Sequence, residues 1–299
     1  MGAREGIPPP RVSDLTLTSN TDTSALFMAC SEPRSIPSGP TVGCGTCTGC
    51  RRTRQKTWTG RILLEWKYFK KIAVFATFTY APEHVPMTPQ GARTLRKDDA
   101  QKFLKRLRKR LYGSQEGFLR YFLCGEYGDT TWRPHYHAIL YGLTVDQEAD
   151  IDAAWGLGHI KVDEVSPARA MYCSSYVTKG ITKQDEYVLG DREPEFALSS
   201  RNPALGDRYL ERFAKTLDLH WEYIEREGDI PRFFYMDGRF WPLTYRHAQM
   251  VRELVGVPQA AADRPRYYTP PSNPSPDELD EIRNYNALLE RRSRKMKIL

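Results

Sequence analysis

Long apolar runs are missing from this 299-residue chain. The best apolar stretch, residues 72–80, is less than half of what a membrane-spanning helix needs. Met1 to Asn20 lacks a hydrophobic leader region, so a secretory signal is not expected. Six cysteines are too few for a chain this long to be a disulfide-stapled scaffold, and a reducing cytoplasm is the expected compartment. The G-x-x-x-x-G-K-[ST] loop of nucleotide-driven motors does not occur, and neither does an internal repeat. Acidic residues are also outnumbered. Lys and Arg total 44 against 37 Asp and Glu, a net charge of +7, which permits a polyanionic partner without requiring one.

What is present is organised by position. Arg51, Arg52, Arg54 and Lys56 follow a cysteine cluster. A second basic run holds Lys102, Lys105, Arg106, Arg108, Lys109 and Arg110, and a third Arg291, Arg292, Arg294, Lys295 and Lys297. One such run is ordinarily a solvated helix face; three beside the chemistry below point to nucleic acid.

Five regions follow from composition and periodicity. Residues 1–29 are a flexible lead-in, 30–70 a cysteine-rich knuckle with a basic helix, and 71–184 the core. Residues 185–268 are a mainly helical extension, and 269–299 a linker with a basic terminal helix. Within the core, residues 71–80, 118–127, 135–141 and 159–165 read as strands, and 97–112 and 145–155 as helices. Ser166-Pro167 opens a further helix, with Ser as N-cap and Pro in the first turn, and Gly180 is its natural stop. The order strand, helix, strand, strand, helix, strand predicts an α+β fold, a ferredoxin-like (split βαβ) antiparallel sheet. A site on one face of that sheet and helices on the other are expected.

His135-Tyr136-His137 places two imidazoles on one strand face, with Tyr136 turned toward a core. Alone, such a pair is more often ordinary surface or hydrogen-bonded histidine. Glu126, nine residues upstream across a short loop, reaches the same face. Two nitrogens and a carboxylate suit Mg²⁺ or Mn²⁺ acting on a phosphate oxygen, with Zn²⁺ the less favoured ion. Tyr172, Tyr176 and Lys179 then fall on one helix face. Two tyrosines at that spacing are usually packing, but a buried stripe seldom includes a lysine. A cation beside a phenol favours phenolate, and so makes it a better nucleophile toward phosphate.

Cys44, Cys47 and Cys50 form C-x₂-C-x₂-C, with Cys30 a candidate fourth ligand. That spacing suits structural Zn²⁺; free thiols and an iron–sulfur cluster are the alternatives. Cys124 and Cys173 fall in core elements and are expected to pack, and His84, His159, His220 and His247 are read as structural.

These residues carry a resemblance. Glu126, His135-Tyr136-His137, Tyr176-Val177-Thr178-Lys179 and Thr77-Phe78-Thr79-Tyr80 resemble the motifs of the HUH family of rolling-circle replication initiators. Tyr172 and Tyr176 resemble its two-tyrosine class. Cys44-Gly45-Thr46-Cys47-Thr48-Gly49-Cys50-Arg51, Ser200-Arg201-Asn202-Pro203-Ala204-Leu205-Gly206 and Pro242-Leu243 are similar to initiators of gokushovirus-type (Microviridae) single-stranded DNA phages. The resemblance implies that His135, His137 and Glu126 hold a divalent ion. It further implies that Tyr176 attacks a phosphodiester of the single-stranded phage origin, assisted by Lys179. The products would be a 5′-phosphotyrosine and a 3′-hydroxyl primer, with later rejoining. Two departures stand out: Tyr172 is followed three residues on by Ser175, not lysine, and the residue between the histidines is Tyr136 rather than an aliphatic one. Arg51, Arg52, Arg54, Lys102, Lys105, Arg106 and Lys109 are candidate phosphate contacts. A host helicase and polymerase would supply unwinding and synthesis in the bacterial cytoplasm. A relaxase or transposase with the same core is one rival reading; a non-catalytic, zinc-dependent DNA-binding regulator is another.

Overall fold

Side chains that alternate in the sequence pair as strands, and those spaced by three and four line helices. The computed structural model describes residues 30–35, 41–113, 119–128, 130–177, 189–218, 221–231, 233–236 and 239–257, with scattered helical residues between 276 and 287. Strands β1 (Arg34–Ser35) and β2 (Thr41–Val42) precede helix α1 (Thr48–Tyr68). Next come β3 (Ala73–Thr79), α2 (Lys97–Tyr112), β4 (Arg120–Tyr127), β5 (Pro134–Tyr141), α3 (Glu148–Trp155), β6 (Ile160–Glu164) and α4 (Pro167–Ser175). After these lie β7 (Phe196–Ser199), α5 (Asp207–Asp218), α6 (Trp221–Glu227), β8 (Phe233–Met236), β9 (Arg239–Pro242) and α7 (Tyr245–Val255). The chain divides into two units, Met1–Gly60 with Leu210–Leu299, and Arg61–Tyr209.

The second unit is built on a five-stranded sheet in the order β6-β3-β5-β4-β7, antiparallel throughout. The protein is α+β. One face of the sheet packs Val74, Ala76, Phe78, Leu123, Tyr136, Ala138 and Leu140 against Phe103, Leu104 and Leu107 of α2 and Ile151 and Ala154 of α3. Trp155 sits in the middle of this layer, its ring 5.3 Å from Phe78, 5.3 Å from Tyr80 and 5.5 Å from Tyr136. Burying each such side chain contributes roughly 1.5–3 kcal/mol. The polar tips are satisfied within the core. Trp155 Nε1 donates to the Thr79 carbonyl, and the Tyr80 hydroxyl donates to Asp99 while meeting the Tyr136 hydroxyl at 2.9 Å.

The opposite face, where the site was expected, is covered as well. α4 packs against β5 on this face, where Tyr141 also donates to the Ile62 carbonyl of α1. The reason is that Phe75, Phe122, Ile139 and Tyr141 make much of that face apolar too, and it needs cover. At its far end a buried ion pair joins Arg120 of β4 to Glu65 of α1 at 2.7 Å. Arg120 also donates to the carbonyls of Pro203 and Ala204, and the Gly206 amide donates to the second Glu65 oxygen at 2.8 Å. Residues 200–206 thus complete the hydrogen bonding of two charges that would be costly to leave buried and unpaired.

In the first unit, β8 and β9 pair antiparallel, and Asp237-Gly238 between them lie outside the described residues. Phe234 and Trp241 of that pair approach Gly60 of α1 so closely that a β-carbon there would fall 3.2–3.3 Å from both. Arg252 of α7 and Asp229 form a two-pronged ion pair at 2.7 and 2.8 Å.

Two boundaries differ from expectation. α1 begins at Thr48, within the cysteine run rather than after it, which puts Cys50 inside its first turn. α4 ends at Ser175, with Tyr176 its C-cap, still in right-handed helical geometry; Gly180, the expected stop, lies outside the described residues. The opening of α4 is as read: the Ser166 side chain accepts from the Arg169 amide, with Pro167 next.

Candidate active site

The register of three strands gathers the site. On β5, His135 lies opposite Glu126 of β4 and Thr79 of β3, and His137 opposite Cys124 and Thr77. Residues directly opposite, and diagonal neighbours two residues along, project on one face within reach of long side chains. Glu126 uses the diagonal: its Oε1 lies 2.7 Å from His137 Nε2. The other ring nitrogen, Nδ1, lies 3.1 Å from Thr77 Oγ1. Both His137 and Glu126 are buried, while His135 is half-buried with its ring against Gly128.

α4 lays two tyrosines over this pair. The Tyr172 hydroxyl donates to Glu126 Oε1 at 3.0 Å and stands 3.5 Å from His137 Nε2. Rings enclose the imidazole: Phe75 stacks on it at 5.6 Å, Tyr176 at 6.2 Å, and Tyr172 meets it edge-on at 5.1 Å. The two phenols differ in access, Tyr172 being 43% exposed and Tyr176 only 4%. Lys179, expected beside them, lies outside the described residues.

Charge in this pocket is set by burial and by hydrogen bonds. Burial pushes the Glu126 carboxyl up, but hydrogen bonds from His137, Tyr176 and Tyr172 outweigh it and leave the group below its ordinary range. Burial lowers His135, favouring the neutral imidazole, whose ring nitrogen has a free lone pair. Burial, followed by the Glu126 carboxylate, raises Tyr176; burial also raises Tyr172. As they stand, these phenols hold their protons more tightly than a free tyrosine. A nearby positive charge is needed to make either a nucleophile at neutral pH.

The donor set fits a divalent cation in kind. It comprises a carboxylate, two imidazoles, and on His137 an outer hydrogen bond to Thr77 of the type that orients metal-binding histidines. The donors are not fully gathered. Glu126 and His137 are in contact, but His135 does not join them: among the described residues, the one group of three or more metal-ligating residues placed to share an ion is made of four thiols.

Those thiols belong to Cys30, Cys44, Cys47 and Cys50, a cluster able to hold a metal ion. Cys30 and Cys47 sulfurs are 3.8 Å apart. Amides of Glu32 and Cys44 point at Cys30 Sγ (3.4 and 3.2 Å), that of Cys47 at Cys44 Sγ (3.3 Å), and that of Cys50 at Cys47 Sγ (3.5 Å). A hydrogen bond from Cys50 holds the Cys47 thiol down to about 3, and the same bond pushes Cys50 up; burial pushes Cys30 up to about 11. Cys124 and Cys173 are fully buried elsewhere.

The basic residues are spread out. Arg51, Arg52 and Arg54 occupy the first two turns of α1, and Arg54 reaches the Gly45 carbonyl at 3.4 Å. On α2, Lys102 pairs with Asp98 at 2.6 Å, while Lys105 and Lys109 are exposed. Arg106 is committed elsewhere, donating to the Ala154 and Trp155 carbonyls that end α3. The terminal basic run lies outside the described residues. Sequence reading did not single out a cleft of about 540 Å³ lined by Lys97, Arg108, Tyr121, Ser200, Arg201 and Asn202, because its walls come from segments about 100 residues apart. It also passed over Thr77 as the partner of His137, although Thr77 stands in a motif it quoted.

Residues 73–181, which run from β3 past the end of α4 and carry Thr77, Glu126, His135, His137, Tyr172 and Tyr176, match the family of replication-associated protein ORF2/G2P. Replication-associated protein ORF2 of Spiroplasma virus 4 is 31% identical over 165 residues, 50% of this chain and 51% of that protein. This chain is similar to replication-associated proteins of phages. Replication-associated protein VP4 of Bdellovibrio phage phiMH2K is 25% identical over 64% of the chain and 65% of its own length. For replication-associated protein ORF4 of Chlamydia phage 1 the figures are 26%, 58% and 48%. The chain therefore spans about half to two thirds of these relatives. No solved structure matches it. The resemblance to rolling-circle initiators drawn from the motifs stands, and its replication-associated relatives come from three different phages. The described helices include none long and apolar enough to cross a membrane.

Proposed function

We propose that this protein is a replication initiator that nicks single-stranded origin DNA of a small phage through a tyrosine, forming a 5′-phosphotyrosine and leaving a 3′-hydroxyl primer. The observation that carries the reading is the convergence of Glu126, His137, Tyr172 and Tyr176 on one sheet face, within the segment that matches the replication-associated protein family. The order β6-β3-β5-β4, with helices after the first and third of these strands in sequence, supports reading the core as a ferredoxin-like split βαβ unit with an HUH site.

Glu126, His135 and His137 would hold Mg²⁺ or Mn²⁺, which when bound supplies positive charge to a phosphate oxygen and to the departing oxygen. The chain's own residues do the rest. Thr77 fixes the ring of His137 so that Nε2 faces the site. Phe75 and the two tyrosine rings keep water from much of that imidazole. A tyrosine Oη attacks phosphorus, the O–P bond to it forms, and the bond to the 3′-oxygen breaks. The phenolic proton leaves to solvent, and the departing oxygen takes one up. Lys179 is the candidate cation beside the attacking phenol. Because the ester bond conserves the energy of the one cut, rejoining by the 3′-hydroxyl needs no nucleotide. Lys97, Arg108 and Arg201 in the cleft, with Lys105, Lys109, Arg51, Arg52 and Arg54, are candidates for phosphate contacts.

Sequence pattern points to Tyr176 as nucleophile, because a lysine follows it by three. Exposure points to Tyr172. The test mixes purified protein with labelled single-stranded origin DNA and Mn²⁺ or EDTA, then separates products on a denaturing gel. A metal-dependent, protease-sensitive adduct supports the reading. Its loss in Tyr176→Phe alone assigns Tyr176, and its loss in Tyr172→Phe alone assigns Tyr172. Metal-dependent cutting with no adduct would mean that water attacks, and the tyrosine mechanism would be abandoned.

A further inference from the structure

We infer that Cys30, Cys44, Cys47 and Cys50 form a closed tetrathiolate zinc site that organises the start of helix α1. All four sulfurs lie within 4.8 Å of one another, close enough to share one tetrahedral ion. Three belong to a C-x₂-C-x₂-C run and the fourth comes from 14 residues before Cys44, brought back by the short β1–β2 ladder. That ladder pairs only two residues on each side and could not hold the segment by itself. Small segments without a core of their own are commonly held by a metal.

Three further features agree with a bound cation. Backbone amides aim at the sulfurs of Cys30, Cys44 and Cys47, the outer hydrogen bonds that stabilise metal-bound thiolates. Four thiolates around one Zn²⁺ leave an excess of negative charge, and Arg51, Arg52 and Arg54 follow within about a turn of Cys50. The Cys30 and Cys47 sulfurs at 3.8 Å are well beyond the ~2.05 Å of a disulfide, so the cluster is not a pair of bridges. With four protein ligands and no open position the site is structural rather than catalytic. Binding is a simple exchange: the ion enters, four metal–sulfur bonds form, and the protons still on the thiols leave to solvent, with no oxidation or reduction. The inference does not depend on the nicking reading, since these cysteines lie outside the matched residues 73–181.

The experiment uses the full chain, purified with a reducing agent and without chelator. Elemental analysis is expected to give about one zinc per chain. Replacement of zinc by Co²⁺ in the wild-type protein is expected to produce the strong visible absorption of a tetrahedral tetrathiolate. Cys44→Ser and Cys50→Ser should lose the metal, whereas Cys173→Ala should keep it. Circular dichroism shows whether each variant is still folded, and the cobalt spectrum decides the matter if one is not. Metal-free wild-type protein with all four thiols open to a thiol reagent would overturn the proposal. So would zinc retained in Cys44→Ser, or iron with its broad visible absorption in place of zinc.

Discussion

The two faces of β5 share one backbone and have opposite demands. On one, Tyr136, Ala138 and Leu140 join an apolar layer with α2 and α3, where volume and shape decide. On the other, His135 and His137 meet Glu126, Thr77 and the phenols of α4, where hydrogen bonds and charge decide. Alternation along a strand keeps the two apart, so a polar substitution on one face need not disturb the other. The division is not complete. The same face that carries His137 ends in the Arg120–Glu65 pair, which is structural, so polarity alone does not mark the chemistry.

Four substitutions would test this contrast. Trp155→Ala should cost about 3–5 kcal/mol, because it empties the centre of the apolar layer. Urea unfolding measures it, and a loss below about 1 kcal/mol would mean that the layer does not depend on this ring. Arg120→Met should cost a similar ~3–5 kcal/mol by stranding the Glu65 charge. Restoration of most of that loss in Arg120→Met/Glu65→Leu would identify the penalty as an unpaired charge; no restoration would assign it to packing. Tyr136→Phe removes the hydroxyl that accepts from the Arg96 amide and pairs with Tyr80, an expected loss of about 1–2 kcal/mol. Equal stability of this variant and wild type would show that water replaces the bond. The smallest thermal effect belongs to Tyr172→Phe. Its ring is 43% exposed, and stability should change by less than about 1 kcal/mol. If Tyr172 is the nucleophile, the same variant abolishes adduct formation, and the two readouts then part company completely.

Much of this was legible in the sequence, for local reasons. Strands β3 to β6 were read as strands and α2 occupies Lys97–Tyr112 as its apolar spacing indicates, whereas β7, which adds a fifth strand beside β4, was not read from the sequence. The Ser166-Pro167 start of α4 is an N-cap that works through neighbours three residues away. His135, His137 and Glu126 were traceable to one face because a short loop leaves little freedom of register. What escaped depends on distance along the chain. Glu65 lies in a stretch of α1 that is buried on every side, from Ile62 to Trp66, and its partners are 55 and 141 residues away. The motif at residues 200–206 was visible as a pattern, yet its task of satisfying Arg120 and Glu65 appears only in three dimensions. Cys50 falls inside α1 because the helix starts within the thiol cluster, a tertiary arrangement without a signal in helix propensity. The early end of α4 is of the same kind: Tyr176 stacks on His137, and no stop residue marks the place.

Among the described residues, β6 closes one side of the sheet, with β3 its only strand partner. A terminal strand leaves a row of backbone amides and carbonyls on which another chain could add itself. Here three of five residues, Lys161, Asp163 and Glu164, are charged, and the strand is short. An incoming strand would have to desolvate those charges to extend the sheet. The protein therefore guards its open margin against self-association by carrying charge on it, a safeguard that matters most while newly made chains are crowded together.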